Sequence, residues 1–228
     1  VNRHAILLDL DGTLVDTAPD MAAALGVLLA EEDHTPLPFA AVRPYVSKGA
    51  AGLVTVGFGD TLAAEEHERL RHRYLQVYAE HLCVASAVFP ELAPVLARIE
   101  ATANTVWGIV TNKPTWLAEP LLEALQLHQR AACLVCGDTL PRRKPHPDPL
   151  FHAAKLIDVA PARCIYVGDD RRDITAGRAA GMVTVAAGWG YIPPDDPIEQ
   201  WGADMLCVSP AAMDEWLTTN AWLHADNP

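Results

Sequence analysis

Long hydrophobic runs are missing from this chain of 228 residues, and no stretch approaches the length a helix needs to cross a bilayer. The N-terminus lacks the basic-then-apolar pattern of a secretory signal, and Val1 in place of Met reads as a processed, truncated or alternative start. Positive charge is scarce as well. Lysine and arginine together number 17 against 29 aspartates and glutamates, a formal charge of −12, so neither nucleic acid nor an anionic membrane is an expected partner. A small anionic ligand would instead need a local group of cations and backbone donors. Five cysteines are too few for a disulfide scaffold in a chain of this length. Cys133 and Cys136 form a C-x-x-C inside Ala-Cys-Leu-Val-Cys, a strand pattern that sends them to opposite faces. Buried thiols are expected there rather than a redox pair or a zinc half-site, and the implied setting is a reducing cytoplasm. Internal repeats and low-complexity segments are also lacking.

What remains is the composition of a globular protein, half hydrophobic and one-fifth charged. Short apolar runs recur at residues 5–10, 106–110, 133–136, 164–167 and 183–186, with helical patterns between most of them. That alternation predicts an α/β fold with a doubly wound parallel sheet, whose ligands gather beyond the carboxyl ends of the strands. The interval between the first two strands is too long for one crossover helix. Residues 17–83 are therefore expected to form an inserted helical domain on a core made of residues 1–16 and 84–228. Thr17-Ala-Pro19-Asp20 looks like a helix start, with Thr17 as the cap. Stripes at Met21, Leu25, Leu28 and Leu29, and again at Leu70, Tyr74, Val77 and Tyr78, read as helix packing, with Glu65 and Arg69 paired outside. Val46-Ser47-Lys48-Gly49-Ala50-Ala51-Gly52 reads as a flexible stretch with one cation, either a plain loop or a ligand contact. Pro120 either kinks its helix or starts the second half.

The densest chemistry lies at strand ends. Ala5-Ile-Leu-Leu runs into Asp9-Leu-Asp11-Gly12-Thr13, two carboxylates against a buried strand with a glycine turn behind them. Such a pair suggests Asp9 as nucleophile, Asp11 as proton donor and acceptor, and a divalent cation tying both to an anionic substrate. After the second strand, Thr111 and Asn112 offer a hydroxyl, an amide and backbone N–H groups suited to phosphate oxygens. Lys144 precedes the proline-stiffened Pro145-His-Pro147-Asp-Pro149, which would aim it with little entropy left to lose. Gly168-Asp169-Asp170-Arg171-Arg172-Asp173 ends the fourth strand. Read alone it is an acidic helix cap, but beside Asp9 and Asp11 its carboxylates call for Mg²⁺.

These residues resemble, in order and spacing, the four motifs of the haloacid dehalogenase superfamily: Asp9-x-Asp11-Gly-Thr13, Thr111, Lys144 and Gly168-Asp169-x-x-x-Asp173. The resemblance implies the fold just described with 17–83 as a helical cap. It implies an aspartyl phosphate on Asp9, acid–base work by Asp11, and a phosphoryl group held by Thr111 and Lys144. Mg²⁺ would be bound by Asp9, Asp169 and the backbone carbonyl of Asp11, with Asp173 supporting Lys144 or metal-bound water. An acid at position 11 points to phosphatases and phosphomutases rather than dehalogenases. Trp107-Gly-Ile-Val-Thr-Asn-Lys-Pro114 and Lys144-Pro-His-Pro-Asp-Pro149 resemble phosphoglycolate phosphatases. Gly190-Tyr191-Ile192 and the Ser47-Lys48-Gly49-Ala50 loop look more like phosphatases of N-acetylmuramic acid 6-phosphate, which act in peptidoglycan recycling. Lys48 and Asp170 depart from the phosphoglycolate phosphatase pattern. The implied function is Mg²⁺-dependent hydrolysis of a small-molecule phosphate ester, with specificity from Ser47, Lys48 and Gly49. Alternatives are a phosphomutase or a non-catalytic regulatory protein on the same fold; monomer and homodimer both stay open.

Overall fold

The structure, a computed structural model, describes residues 3–220 and 222, so Val1 lies outside the described residues. Its strands are β1 (His4–Leu8), β2 (Val15–Asp16), β3 (Ala87–Val88), β4 (Thr105–Val110), β5 (Leu134–Val135), β6 (Cys164–Gly168), β7 (Val183–Ala187) and β8 (Met205–Cys207). Its helices are α1 (Ala18–Glu31), α2 (Phe39–Val42), α3 (Gly49–Phe58), α4 (Ala64–Glu80), α5 (Leu92–Ala101), α6 (Thr115–Ala124), α7 (Asp148–Leu156), α8 (Arg171–Ala179) and α9 (Pro210–Thr219). Six strands form one parallel sheet in the order β5-β4-β1-β6-β7-β8. None of the helices among the described residues is long and apolar enough to cross a membrane.

Strand periodicity explains why both sheet faces are covered. Along β1, Ile6 and Leu8 enter a cluster with side chains of α5, α6 and α9, whereas Ala5 and Leu7 enter another with side chains of α7 and α8. β6 does the same, with Ile165 and Val167 on the first face and Cys164 and Tyr166 on the second. Each fully buried Leu or Ile contributes about 1.5–3 kcal/mol, so a parallel strand sandwiched by helices needs an unbroken apolar run. This is the doubly wound α/β sheet expected from the sequence. Leu8 stands level with Ile109 on β4 and Val167 on β6, so the residues beyond these three strand ends emerge side by side.

Three short strands were not legible from the sequence. β2 and β3 pair antiparallel, Val15 with Val88 and Asp16 with Ala87, and the chain departs from and returns to the sheet through this ribbon. β8 is a three-residue strand, too short to show a period. Between the ribbon's arms, α1, α3, α4 and the 3-10 turn Arg43–Lys48 surround their own cluster, which Leu117 and Tyr191 also join.

Several local expectations change. Thr17 precedes α1, yet its hydroxyl donates to Asp11 Oδ1 (2.7 Å) instead of capping the helix. The Asp20 carboxylate reaches across to accept from the amides of Ala85 and Ser86 and from the Ser86 hydroxyl, joining the two arms. The stretch 46–52 is not a loose loop: it closes the 3-10 turn and opens α3 at Gly49. Arg69 pairs with Glu66 and with Glu32 rather than with Glu65, because the second carboxylate comes from the end of the packed neighbouring helix α1. Pro120 sits inside α6, which continues past it.

Candidate active site

Asp9 is the first residue beyond β1, and its backbone amide still donates to the Val167 carbonyl. Gly12 then turns the chain with φ of 85°. A β-carbon there would run into the Asp169 carboxylate and the Tyr191 ring, so the close approach of two strand ends requires glycine. Thr13, two residues after Asp11, donates to Asp169 Oδ1 at 2.9 Å. A single sharp turn thus joins the ends of β1 and β6.

Lys144 occupies the floor. Its ammonium lies 2.8 Å from Asp9 Oδ1, 2.7 Å from Asp173 Oδ1, 2.9 Å from the Val110 carbonyl and 2.7 Å from the Tyr166 hydroxyl. Burial alone would lower its pKa, but the charges of Asp173 and Asp9 outweigh that and hold it above the ordinary lysine value. Asn112 secures the segment: its amide donates to the Lys144 carbonyl and accepts from the Lys144 amide. Both ends of that side chain thus bind the Lys144 backbone, and Asn112 also lines the cavity. Thr111 is buried, and its oxygen accepts from the Lys113 amide, leaving its own O–H to donate.

Asp169 is completely buried and accepts from Thr13, from the Ser47 hydroxyl (2.7 Å) and from the Tyr191 amide (2.9 Å). Burial, with Asp9 and Asp173 nearby, pushes its pKa well above the carboxylate range. Asp9 is pushed up to about 7, chiefly by burial, against the pull of Lys144. Asp9, Asp169 and Asp173 each offer an oxygen within 4.8 Å of the others. Three buried carboxylates around one ammonium leave negative charge uncompensated, a set that suits a hard cation with oxygen ligands.

The Asp11 carboxylate stands outside that cluster. Its Oδ1 accepts from Thr17 and from Lys113 Nζ at 2.9 Å, and Lys113 also donates to the Tyr78 hydroxyl of α4 at 3.0 Å. Lys113 was not assigned a task from the sequence. Its only signal there was a cation two residues beyond a strand-end threonine. Asp170 proves to be a helix cap: it accepts from the Arg172 amide while Asp173 accepts from the Asp170 amide, and Arg172 closes over its carboxylate. Ser47, Lys48 and Gly49 line one wall of a cavity of about 410 Å³, with Asp9, Asp11, Thr111 and Lys144 opposite.

Known proteins resemble this chain over most of its length. Residues 6–187 match the haloacid dehalogenase-like hydrolase family. A phosphoglycolate phosphatase of Xanthomonas campestris is 47% identical over 93% of this chain and 95% of its own length. An N-acetylmuramic acid 6-phosphate phosphatase of Pseudomonas aeruginosa is 42% identical over 90% of this chain and 91% of its own. The crystal structure of a predicted phosphoglycolate phosphatase from Haemophilus somnus superposes with a TM-score of 0.82 at 27% identity, covering 95% of this chain and 98% of that one. The chain belongs to the haloacid dehalogenase-like hydrolases, and among them it is a phosphoric monoester hydrolase.

Proposed function

We propose that this chain hydrolyses a small sugar-acid phosphate in two displacements at phosphorus, with Asp9 as the transient carrier. The observation that carries this reading is the meeting of Asp9, Lys144, Asp169 and Asp173 at one cavity. Lys144 engages Asp9 Oδ1, and among the described residues nothing binds Oδ2. That oxygen attacks phosphorus as the ester P–O bond breaks, and Asp11 gives a proton to the leaving alkoxide. In the second displacement water attacks, Asp11 takes its proton, and the bond between phosphorus and Asp9 breaks. Proton transfer of this kind supplies about 10²–10⁴-fold. The Thr111 hydroxyl and Lys144 hold the phosphoryl oxygens, while residues 17–83 act as a cap that excludes bulk water.

Mg²⁺ fits the carboxylate cluster: Asp9, Asp169 and the Asp11 carbonyl would hold it, with Asp173 between it and Lys144. Bound there, it would offset the repulsion between a carboxylate nucleophile and a phosphate dianion. Saturating Mg²⁺ should raise the melting temperature, by roughly 5–10 °C at a hundred times Kd. The sign with pH follows from the raised carboxyls of Asp9 and Asp169. At pH 5.5 the ion must displace protons, so the gain is smaller than at pH 7.5. Calorimetric melts showing no gain at pH 7.5, or a larger one at pH 5.5, would contradict this assignment.

The cavity volume favours the larger acid. About 410 Å³ lies in the range for ligands of roughly two dozen non-hydrogen atoms, such as N-acetylmuramic acid 6-phosphate. Phosphoglycolate is a second reading, favoured by the name of the 47% identical Xanthomonas relative. The test is phosphate release: kcat/KM for the muramic acid ester should exceed that for phosphoglycolate. The reverse order would select the second reading, and an isomerised sugar phosphate without free phosphate would indicate a mutase. A cytoplasmic setting is supported by five cysteines that are all free thiols.

A further inference from the structure

The cavity is lined by six cations, and four of them already have acidic partners. Lys144 has Asp9 and Asp173, Lys113 has Asp11 at 2.9 Å, Arg172 has Asp170 at 2.7 Å, and Arg71 has Glu68 at 2.6 Å. Lys48 and Arg143 have neither an ion-pair nor a hydrogen-bond partner among the described residues. Lys48 ends the 3-10 turn, with its ammonium 5.4 Å over the Tyr45 ring. Arg143 directly precedes Lys144 and lines the same cavity. We propose that these two side chains form a site for a carboxylate on the leaving group, so that the preferred substrate is a phosphate ester of a hydroxy acid. This rests on the phosphatase reading above and extends it to the part of the substrate that departs.

Two acids share the same rim, and both are occupied. Asp138 accepts from the Thr115 amide and hydroxyl, and Asp170 is held by Arg172 and caps α8. Lys48 and Arg143 are thus the two lining cations without an ion-pair partner among the described residues, in a chain whose formal charge is −12. A guanidinium fork matches a carboxylate in two-point geometry, and an ammonium adds a point charge. A carboxylate bridging the two would neutralise both and tie residues 17–83 to the sheet while substrate is bound. Phosphoglycolate carries its carboxylate directly on the alcohol carbon chain, and N-acetylmuramic acid 6-phosphate carries one on its lactyl ether. The shared chemistry is the acid, and the two sources differ in reach.

The test compares esters that differ in the carboxylate alone. One pair is N-acetylmuramic acid 6-phosphate against its lactyl carboxamide; the other is phosphoglycolate against 2-hydroxyethyl phosphate. The readout is the ratio of kcat/KM within a pair for one protein, so losses of folding or general catalysis cancel. The wild-type ratio should favour the acid by about tenfold or more in at least one pair, and that pair identifies the source. In the Lys48→Met/Arg143→Met protein the ratio should fall to within about twofold of unity, while Lys48→Arg/Arg143→Lys should keep most of it. A wild-type ratio near one in both pairs overturns the site, and so does a ratio that survives the methionine variant. If no ester releases phosphate, p-nitrophenyl phosphate included, the phosphatase reading falls first and takes this site with it.

Discussion

The Asp9→Asn protein melts at least as high as the wild type without metal, yet releases phosphate ~10⁴-fold more slowly. Asparagine keeps the shape of the side chain, so cavity and turn survive, but an amide oxygen does not form a stable ester with phosphorus. The stability half of the prediction comes from charge. Burial pushes the Asp9 carboxyl up to about 7, from 3.8 in an ordinary setting. A carboxyl whose folded pKa exceeds its unfolded one weakens the fold as pH rises through that interval. Metal-free wild type should therefore be less stable at pH 7.5 than at pH 5.5, and Asp9→Asn should lessen that difference. Thermal melts at the two pH values and a phosphate assay check both halves. More than a few per cent of wild-type turnover in the variant removes Asp9 from the chemistry.

Lys144→Met has the opposite signature, losing activity and stability together. The ammonium is almost fully buried and lies within hydrogen-bond distance of two carboxylates, a carbonyl and a hydroxyl. Removing it leaves Asp9 and Asp173 facing each other with nothing between them, and breaking a buried pair in this way costs about 3–5 kcal/mol. For a chain of this size that is roughly 6–20 °C in Tm. Protonation of Asp9, whose carboxyl is already pushed up to about 7, relieves the repulsion, so the deficit should be largest above pH 7 and shrink toward pH 5. Adding Asp9→Asn to Lys144→Met should restore part of the lost stability without restoring activity. Additive losses in that double variant would mean that the two groups do not interact.

How far the sequence could be read depended on the range of each interaction. β1 was legible because Ala5 to Leu8 form an unbroken apolar run, as a strand covered on both faces requires. Asp9 and Asp169 stood out because each sits at the end of an apolar strand run, and Lys144 because it precedes a proline-stiffened segment. β2 and β3 were not legible: two residues carry no period, and the ribbon exists only through pairing across the inserted helices. The stretch 46–52 looked loose because of its glycines, yet packing of Val46, and of Leu53 and Val54 just beyond it, into the helical cluster orders it. The chain Tyr78–Lys113–Asp11–Thr17 was hidden for a further reason. It draws on four separate segments, and no local pattern announces a hydrogen bond from residue 113 to residue 11. Asn112 was visible as a polar strand-end residue, but its commitment to the Lys144 backbone needed coordinates.

The most direct test of transfer through Asp9 is the stereochemical course at phosphorus. An ester made chiral with ¹⁶O, ¹⁷O and ¹⁸O is hydrolysed, and the configuration of the transferred group is determined after trapping by an acceptor alcohol. Two successive in-line displacements invert twice, so net retention is predicted. Net inversion, the mark of water attacking the ester in one step, would contradict a phosphoryl group carried on Asp9.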